Sequence, residues 1–248
     1  MRANTLALVV ALGASPACRS ADGGERAPVL LFTGTGTSPG DVVAVRRILD
    51  DSGLAYATAT SAQLDAMDAA RFRAHRLLIV PGGNFLEIGD GLTPRATTAV
   101  RDAIHGGVHY LGLCAGAFIA GDTGHNALNL TGVRFRFYAI SSQGIRKAAV
   151  PIARPGEPTL EHYWEDGPQL SGWGAPIATY PDGTPAIVEG AVGRGWVVLS
   201  GVHPEAPESW RDGVTFRTPA AADNAFAATL IRAALDRTPL ATRSGRGP

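Results

Sequence analysis

The fold is decided by the stretch Tyr110-Leu111-Gly112-Leu113-Cys114-Ala115-Gly116-Ala117-Phe118. The apolar run from Val108 to Leu113 predicts a strand buried on both faces, and a helix can begin directly after Cys114. Glycines flank the cysteine because a tight strand-to-helix turn brings backbone segments too close for Cβ atoms. A cysteine on such a turn is presented to substrate, and the helix N-terminus beneath it favours the thiolate. The alternative is a core cysteine packed beside small residues.

Further strands surround this one in the predicted sheet. Pro28–Phe32 and Leu77–Val80 are apolar runs of the same kind. Their alternation with helices predicts an α/β fold: a flavodoxin-like, doubly wound, mostly parallel sheet with helices on both faces. Residues 133–140 alternate like a half-buried strand, and 184–190 with 195–200 form a hairpin, so the second half adds a small antiparallel extension. Helices are predicted at about 41–49, 63–72, 95–104 and 222–235, with a long loop before residue 95.

Composition indicates one globular domain and excludes a nucleic-acid partner. The chain has 248 residues, of which 45% are hydrophobic, and Lys+Arg equals Asp+Glu at 22 each. A length of this order suits a single α/β domain. Nucleic-acid binding requires clustered basic residues, which this balance does not indicate.

The first residues are typical of an export signal. Arg2 precedes a short apolar run and then small residues that end at Cys18. The run is too short to cross a bilayer, so residues 1–17 are predicted to be a signal peptide. Either ordinary cleavage occurs before Cys18, or Cys18 carries the lipid anchor of a bacterial lipoprotein. We therefore expect an exported protein, periplasmic or lipid-anchored to a bacterial membrane. The remaining predicted segments are a linker at 18–27, the folded domain at 28–236 and a disordered tail at 237–248.

Two further motifs follow predicted strands. Gly82 and Gly83 come after Leu77–Val80, and their N–H groups, with that of Ala115, can face a developing oxyanion. His203 and Glu205 follow the last strand of the hairpin. A histidine can take the proton of a thiol, while a carboxylate two residues on orients the ring. Each motif alone also fits a plain glycine turn or a surface His–Glu pair.

Together the motifs resemble the class I glutamine amidotransferase superfamily. The segments that carry the resemblance are Pro81-Gly82-Gly83, Gly112-Leu113-Cys114-Ala115-Gly116 and His203-Pro204-Glu205. The stretches 107–118 and 183–205 are similar, more specifically, to the N-terminal domain of biotin–protein ligases, and the similarity extends from about Pro28 to Leu235. The resemblance implies a nucleophile at Cys114 with His203 and Glu205 as partners. No biotin-ligase catalytic domain follows, so no ligase activity is implied.

One position departs from the family pattern. Glutamine-hydrolysing members carry a Gln four residues after the nucleophile, and here that residue is Phe118. An aromatic ring cannot replace an amide, so free glutamine is a doubtful substrate. We therefore expect a thiol-dependent amide or acyl hydrolase or transferase, acting on a small-molecule or peptide amide. A ligand-binding module without turnover and a redox-sensing cysteine protein are the alternatives.

No metal or cofactor is predicted. His105 and His109 are four residues apart, but Gly106 and Gly107 break any helix that would align them as ligands. The sequence Gly34-Thr35-Gly36 lacks the remainder of a dinucleotide-binding fingerprint. Residues 162–167, His-Tyr-Trp-Glu-Asp-Gly, either line the mouth of the pocket or pack in the core.

Overall fold

The computed structural model describes residues 27–241. The strands are β1 Val29–Phe32, β2 Tyr56–Ala59, β3 Leu77–Val80, β4 His109–Leu113, β5 Arg136–Phe137, β6 Lys147–Ile152, β7 Leu160–Glu165, β8 Pro168–Gln169, β9 Ala175–Thr179, β10 Pro185–Val192 and β11 Gly195–Ser200. The helices are α1 Pro39–Asp51, α2 Ser61–Asp65, α3 Ala69–Phe72, α4 Phe85–Asp90, α5 Pro94–His105, α6 Ala115–Ala120 and α7 Ala220–Asp236.

A seven-stranded sheet of order β2-β1-β3-β4-β11-β10-β9 forms the centre of the domain. The first five strands of that order are parallel, whereas β10 is antiparallel to β11 and β9 is antiparallel to β10. The strands β5 with β8 and β6 with β7 form two small antiparallel pairs. The predicted doubly wound, mostly parallel α/β fold with an antiparallel extension is confirmed.

Helices cover both faces of the sheet. Alternate residues of β1 point to opposite sides, as the period of a strand requires: Leu31 joins the core beneath α1 and α7, and Leu30 joins the core beneath α2 to α6. Both are almost completely buried. The loops that follow β1, β3, β4 and β11 meet at one edge, because these four strands are parallel neighbours. Ligands of open α/β sheets bind at this edge.

Several local predictions were wrong. The predicted strand at 133–140 is reduced to Arg136–Phe137, because its partner β8 has two residues and a 3-10 helix follows at Ala139–Gln143. The predicted loop before residue 95 contains α4, which begins where the Asn84 side chain accepts hydrogen bonds from the N–H groups of Leu86 and Glu87. The predicted helix at 63–72 is two short helices, α2 and α3.

The predicted signal peptide and Cys18 lie outside the described residues. Ala27, the last residue of the predicted linker, is buried. At the other end, the N–H groups of Leu240 and Ala241 donate to Glu189 Oε1 at 2.7 and 2.6 Å. The first residues of the predicted tail therefore contact the domain, since the buried Glu189 carboxylate requires donors. No helix within residues 27–241 is long and apolar enough to cross a membrane.

Candidate active site

Cys114 occupies a strained turn between β4 and α6. Its backbone has φ 47° and ψ −101°, a conformation that costs energy for any residue except glycine. A Cβ on Gly112 would collide with the carbonyl group of Gly116, and a Cβ on Gly116 would collide with the Val80 oxygen. The buried Tyr110 hydroxyl donates to the Gly116 oxygen at 2.7 Å. The two glycines thus have the steric role that the sequence predicted for them.

The Cys114 sulfur faces a cavity of about 450 Å³. The residue is only 6% exposed, and its backbone N–H donates to the Ser200 oxygen of β11 at 2.8 Å. The sulfur lies 3.6 Å from the backbone oxygen of Glu165. Cys114 is therefore a buried residue in the lining of this cavity.

His203 lines the same cavity and is fixed from two sides. Its backbone N–H donates to the Tyr163 oxygen at 2.8 Å, and its ring Nδ1 lies 2.9 Å from Glu205 Oε1. The Asn224 side chain of α7 donates to the carbonyls of Pro204 and Ala206 and thereby holds this loop. With Nδ1 bonded to Glu205, Nε2 is the ring nitrogen left for another partner.

Asp41 is a site residue that the sequence analysis missed. Ser38 caps α1, and the Asp41 carboxylate is buried with Oδ1 3.2 Å from His203 Nδ1. The two atoms are close enough for an ion pair, but their geometry is not that of a hydrogen bond. Asp41 Oδ1 therefore has no hydrogen-bond donor among the described residues. The sequence did contain an indication of this role, because Asp41 follows the carboxyl end of β1, at the edge of the sheet where the other loops of the site lie.

Three negative groups determine the charge of His203. Burial alone lowers its pKa, but the charges of Cys114, Glu205 and Asp41 raise it, and the resulting pKa lies well above the usual value. For Asp41, burial raises the pKa, but the contact with His203 lowers it by more, so the pKa is lowered overall. For Glu205, burial and the charge of Asp41 outweigh His203, and the pKa is raised. The three negative groups therefore favour the protonated form of the ring.

The three side chains Asp41, His203 and Glu205 also have the composition of a metal-binding group, with ligand atoms within 4.8 Å of one another. An imidazolium that donates its Nδ1–H to Glu205 and faces Asp41 explains their arrangement without an ion.

The two histidines that the sequence analysis considered as metal ligands have other contacts. His105 Nδ1 contacts the Arg101 oxygen, and His109 Nδ1 accepts from the Trp196 N–H.

The predicted oxyanion residues have different positions. Gly83 lines the cavity and pairs with Thr37 in an isolated antiparallel β-bridge. The hydrogen bonds of this bridge are donated by the backbone N–H groups of Ser38 and Asn84, so the bridge does not use the Gly83 N–H. The Ala115 N–H is the first of α6, and such groups have no intrahelical partner.

Gly82 packs behind the site. A Cβ there would collide with the Asp41 carboxylate and lie 2.7 Å from His203 Cε1. Its missing side chain thus allows these two residues to meet.

The wall beside Cys114 is aromatic. Phe118, four residues after the cysteine, stacks on Phe85 with ring centroids 4.7 Å apart and contacts Phe137 at 4.9 Å. Glu165 and Asp166 also line the cavity, whereas Trp164 is fully buried in the core. Both locations predicted for residues 162–167 therefore occur, one at the cavity and one in the core.

A second cavity of about 380 Å³ adjoins the first and shares Asp41, Glu165 and His203 with it. It is also lined by Tyr163 and Trp210, whose rings lie 5.9 and 5.7 Å from that of His203. Nothing in the sequence motifs indicated these two aromatic contacts.

The fold is that of class I glutamine amidotransferase-like α/β proteins, and comparisons with known structures agree. A glutamine amidotransferase is 19% identical, with 72% of this chain and 90% of that chain covered and a TM-score of 0.56. PurLQS from Thermotoga maritima is 16% identical, with 83% and 99% covered and a TM-score of 0.56. An exo-β-1,4-mannosidase from an Opitutaceae bacterium is 16% identical, with 82% of this chain and 36% of that chain covered and a TM-score of 0.53. Identities this low show the fold alone.

The family model described as "Biotin-protein ligase, N terminal" matches residues 27–145. Both parts of the resemblance stated from the sequence are thus confirmed: the chain has the class I glutamine amidotransferase-like fold and carries a match to the biotin–protein ligase N-terminal domain. The match includes Cys114, but His203 and Glu205 lie beyond it, so it is shorter than the similarity inferred from the sequence. No curated protein matches the chain in a direct sequence comparison.

Proposed function

We propose that this protein is a thiol-dependent amide or acyl hydrolase or transferase with Cys114 as nucleophile. The observation that carries the proposal is the position of Cys114 on a strained elbow, in one cavity with a His203 ring that Glu205 holds at 2.9 Å. Nucleophile, base and orienting carboxylate are the three parts that such catalysis requires.

The reaction follows from these roles. The Cys114 sulfur attacks the carbonyl carbon, His203 holds the thiol proton, and the oxygen gains negative charge beside the N–H groups of Gly83 and Ala115. The C–N or C–O bond then breaks, and His203 gives its proton to the leaving group. Water or an acceptor amine attacks the thioester, loses a proton to His203, and releases the acyl group from sulfur.

Alkylation of Cys114 by iodoacetamide at pH 7 tests the role of His203. The carboxylates of Glu205 and Asp41 beside the His203 ring favour its protonated form, and a neighbouring cation stabilises a thiolate. We expect His203→Ala to slow alkylation at least about fivefold, because the variant has no imidazole ring to stabilise the thiolate. His105→Ala is the control, because that side chain is exposed and does not line the cavity. Equal alkylation rates in wild type and His203→Ala would refute the proposed pair.

A ligand-binding module without turnover is the second candidate, and Phe118 favours it. This ring occupies the position at which glutamine-hydrolysing relatives carry an amide, and it lies on the cavity wall. Reactive Cys114 that forms an acyl adduct but never releases it would support this candidate.

We further propose that the protein is exported. The support is the sequence alone: Arg2, the short apolar run and the small residues before Cys18. The location would be the periplasm, either free or through a lipid on Cys18.

A further inference from the structure

Three aromatic rings from separate parts of the chain form one wall of the cavity that holds Cys114. Phe85 begins α4, Phe118 lies in α6 and Phe137 lies in β5. The Phe85 and Phe118 rings are stacked at an interplanar angle of 24°, and the Phe118 and Phe137 rings are tilted by 58°. We call these three residues the aromatic wall.

The aromatic wall is adjacent to the nucleophile and open on one side. Phe118 is one helical turn after Cys114, and its N–H donates to the Cys114 oxygen at 3.1 Å. Residues at this spacing lie on the same face of a helix. Phe118 is only 5% exposed, but Phe137 is 47% exposed although it packs on Phe118. An exposed ring at a cavity mouth leaves apolar surface that an aromatic ligand can cover.

The remaining wall carries negative charge. Asp41, Glu165 and Asp166 line the cavity, and no Lys or Arg is among its lining residues in the described part of the chain. The Arg146 guanidinium lies 3.0 Å from one oxygen of Asp166, while the other Asp166 oxygen, like Asp41 Oδ1, has no hydrogen-bond donor in residues 27–241. A substrate carboxylate would therefore meet three carboxylates, and the basic group in the lining, the His203 ring, already faces Glu205 and Asp41, which disfavours binding.

From this arrangement we infer that the acyl group attacked by Cys114 carries an aromatic ring and no carboxylate. The inference rests on the proposed function and names its substrate class. The substrate's ring packs on Phe118 and Phe137 while its carbonyl carbon reaches the sulfur. Glutamine has no ring to pack on the aromatic wall, and its α-carboxylate would face the carboxylates of the other wall. Phe118 is then a specificity-determining residue.

Acylation of Cys114 by simple thioesters tests the inference on the full chain. N-acetylcysteamine thioesters of 3-phenylpropanoic acid and of glutaric acid end in a phenyl ring and in a carboxylate, and their acyl chains differ in length by one CH2 group. In each reaction the Cys114 sulfur bonds to the acyl carbon, the bond to the N-acetylcysteamine sulfur breaks, and that sulfur leaves as a thiol with the proton from Cys114. Intact mass spectrometry follows the adduct. We expect the phenylpropanoyl ester to react at least about tenfold faster.

Two variants test whether the aromatic wall causes the preference for the phenylpropanoyl ester. Phe118→Gln and Phe137→Ala should each reduce the rate ratio to about threefold or less, and Phe137 is exposed enough for its removal to leave the fold intact. Ile145→Ala is the matched control, because this apolar residue is 38% exposed and does not line the cavity. A tenfold preference that persists in both Phe variants would overturn the assignment of the ring subsite.

The outcomes separate this inference from the proposed function. A rate ratio near one in wild type, with iodoacetamide alkylation still dependent on His203, overturns the aromatic inference and leaves the proposed function standing. If alkylation proves independent of His203, the proposed function fails, and binding decides the inference instead. Saturation-transfer NMR of Cys114→Ala should then detect 3-phenylpropanamide and not glutaramate. Failure to detect the aromatic amide would overturn the inference.

Discussion

The Asp41→Asn substitution measures the contribution of the carboxylate that the sequence motifs did not reveal. Asp41 Oδ1 lies 3.2 Å from His203 Nδ1, and both groups are buried. Asparagine has nearly the same shape but no charge, so the substitution removes one of three negative groups that raise the pKa of His203. We expect the pKa of His203 to fall while the bond from Nδ1 to Glu205 remains.

The magnitude follows from the distance. Two unit charges 3.2 Å apart attract by about 5 kcal/mol at an effective dielectric constant of about 20. Part of this loss is offset, because the charge of Asp41 also raises the pKa of Glu205. Once Asp41 is replaced by a neutral residue, the Glu205 carboxylate is more readily ionised and attracts the ring more strongly. A net loss of about 1.5 to 3 kcal/mol corresponds to a decrease of about one to two units in the pKa of His203, at 1.36 kcal/mol per unit.

The assay is an NMR titration of the histidine rings, with unfolding followed as a function of pH. A raised pKa in the folded state stabilises the fold below the unfolded value of about 6.5, and this contribution is lost as the pH rises through the folded pKa. The Asp41→Asn variant should lose it at a lower pH than wild type. Asp51→Asn, on the exposed face of the same helix, is the control. A folded Asp41→Asn protein with an unchanged His203 midpoint would refute the reasoning.

Two further predictions concern other parts of the chain. Gly116→Ala should destabilise the fold by about 2 kcal/mol in urea unfolding, because the new Cβ collides with the Val80 oxygen of the neighbouring strand; a loss below about 0.5 kcal/mol would contradict the close approach. Mass spectrometry of the protein from its native host should find a mature N-terminus at or near Cys18, with or without diacylglycerol, and recovery of an intact Met1 would contradict export.

Features that depend on local sequence patterns were predictable. The strand before Cys114 and the glycines around it define the elbow, because a strained turn between strand and helix permits few residue types. The apolar runs of β1 and β3 indicated buried parallel strands, and the hairpin before His203 was recognised from its turn. Short elements were missed or given wrong bounds where tertiary partners determine them. Phe137 illustrates this, since its segment forms a strand of two residues, limited by the length of β8.

The sequence by itself determined the fold class, the elbow and the motif of His203 and Glu205, since each is expressed in neighbouring residues. Only the tertiary structure brought Asp41 to within 3.2 Å of His203 and placed Phe85 and Phe137 beside Phe118. These groups come from loops and elements far apart in the chain. Their meeting depends on the order of the parallel strands and on the loops at one edge of the sheet, and no local pattern records that order.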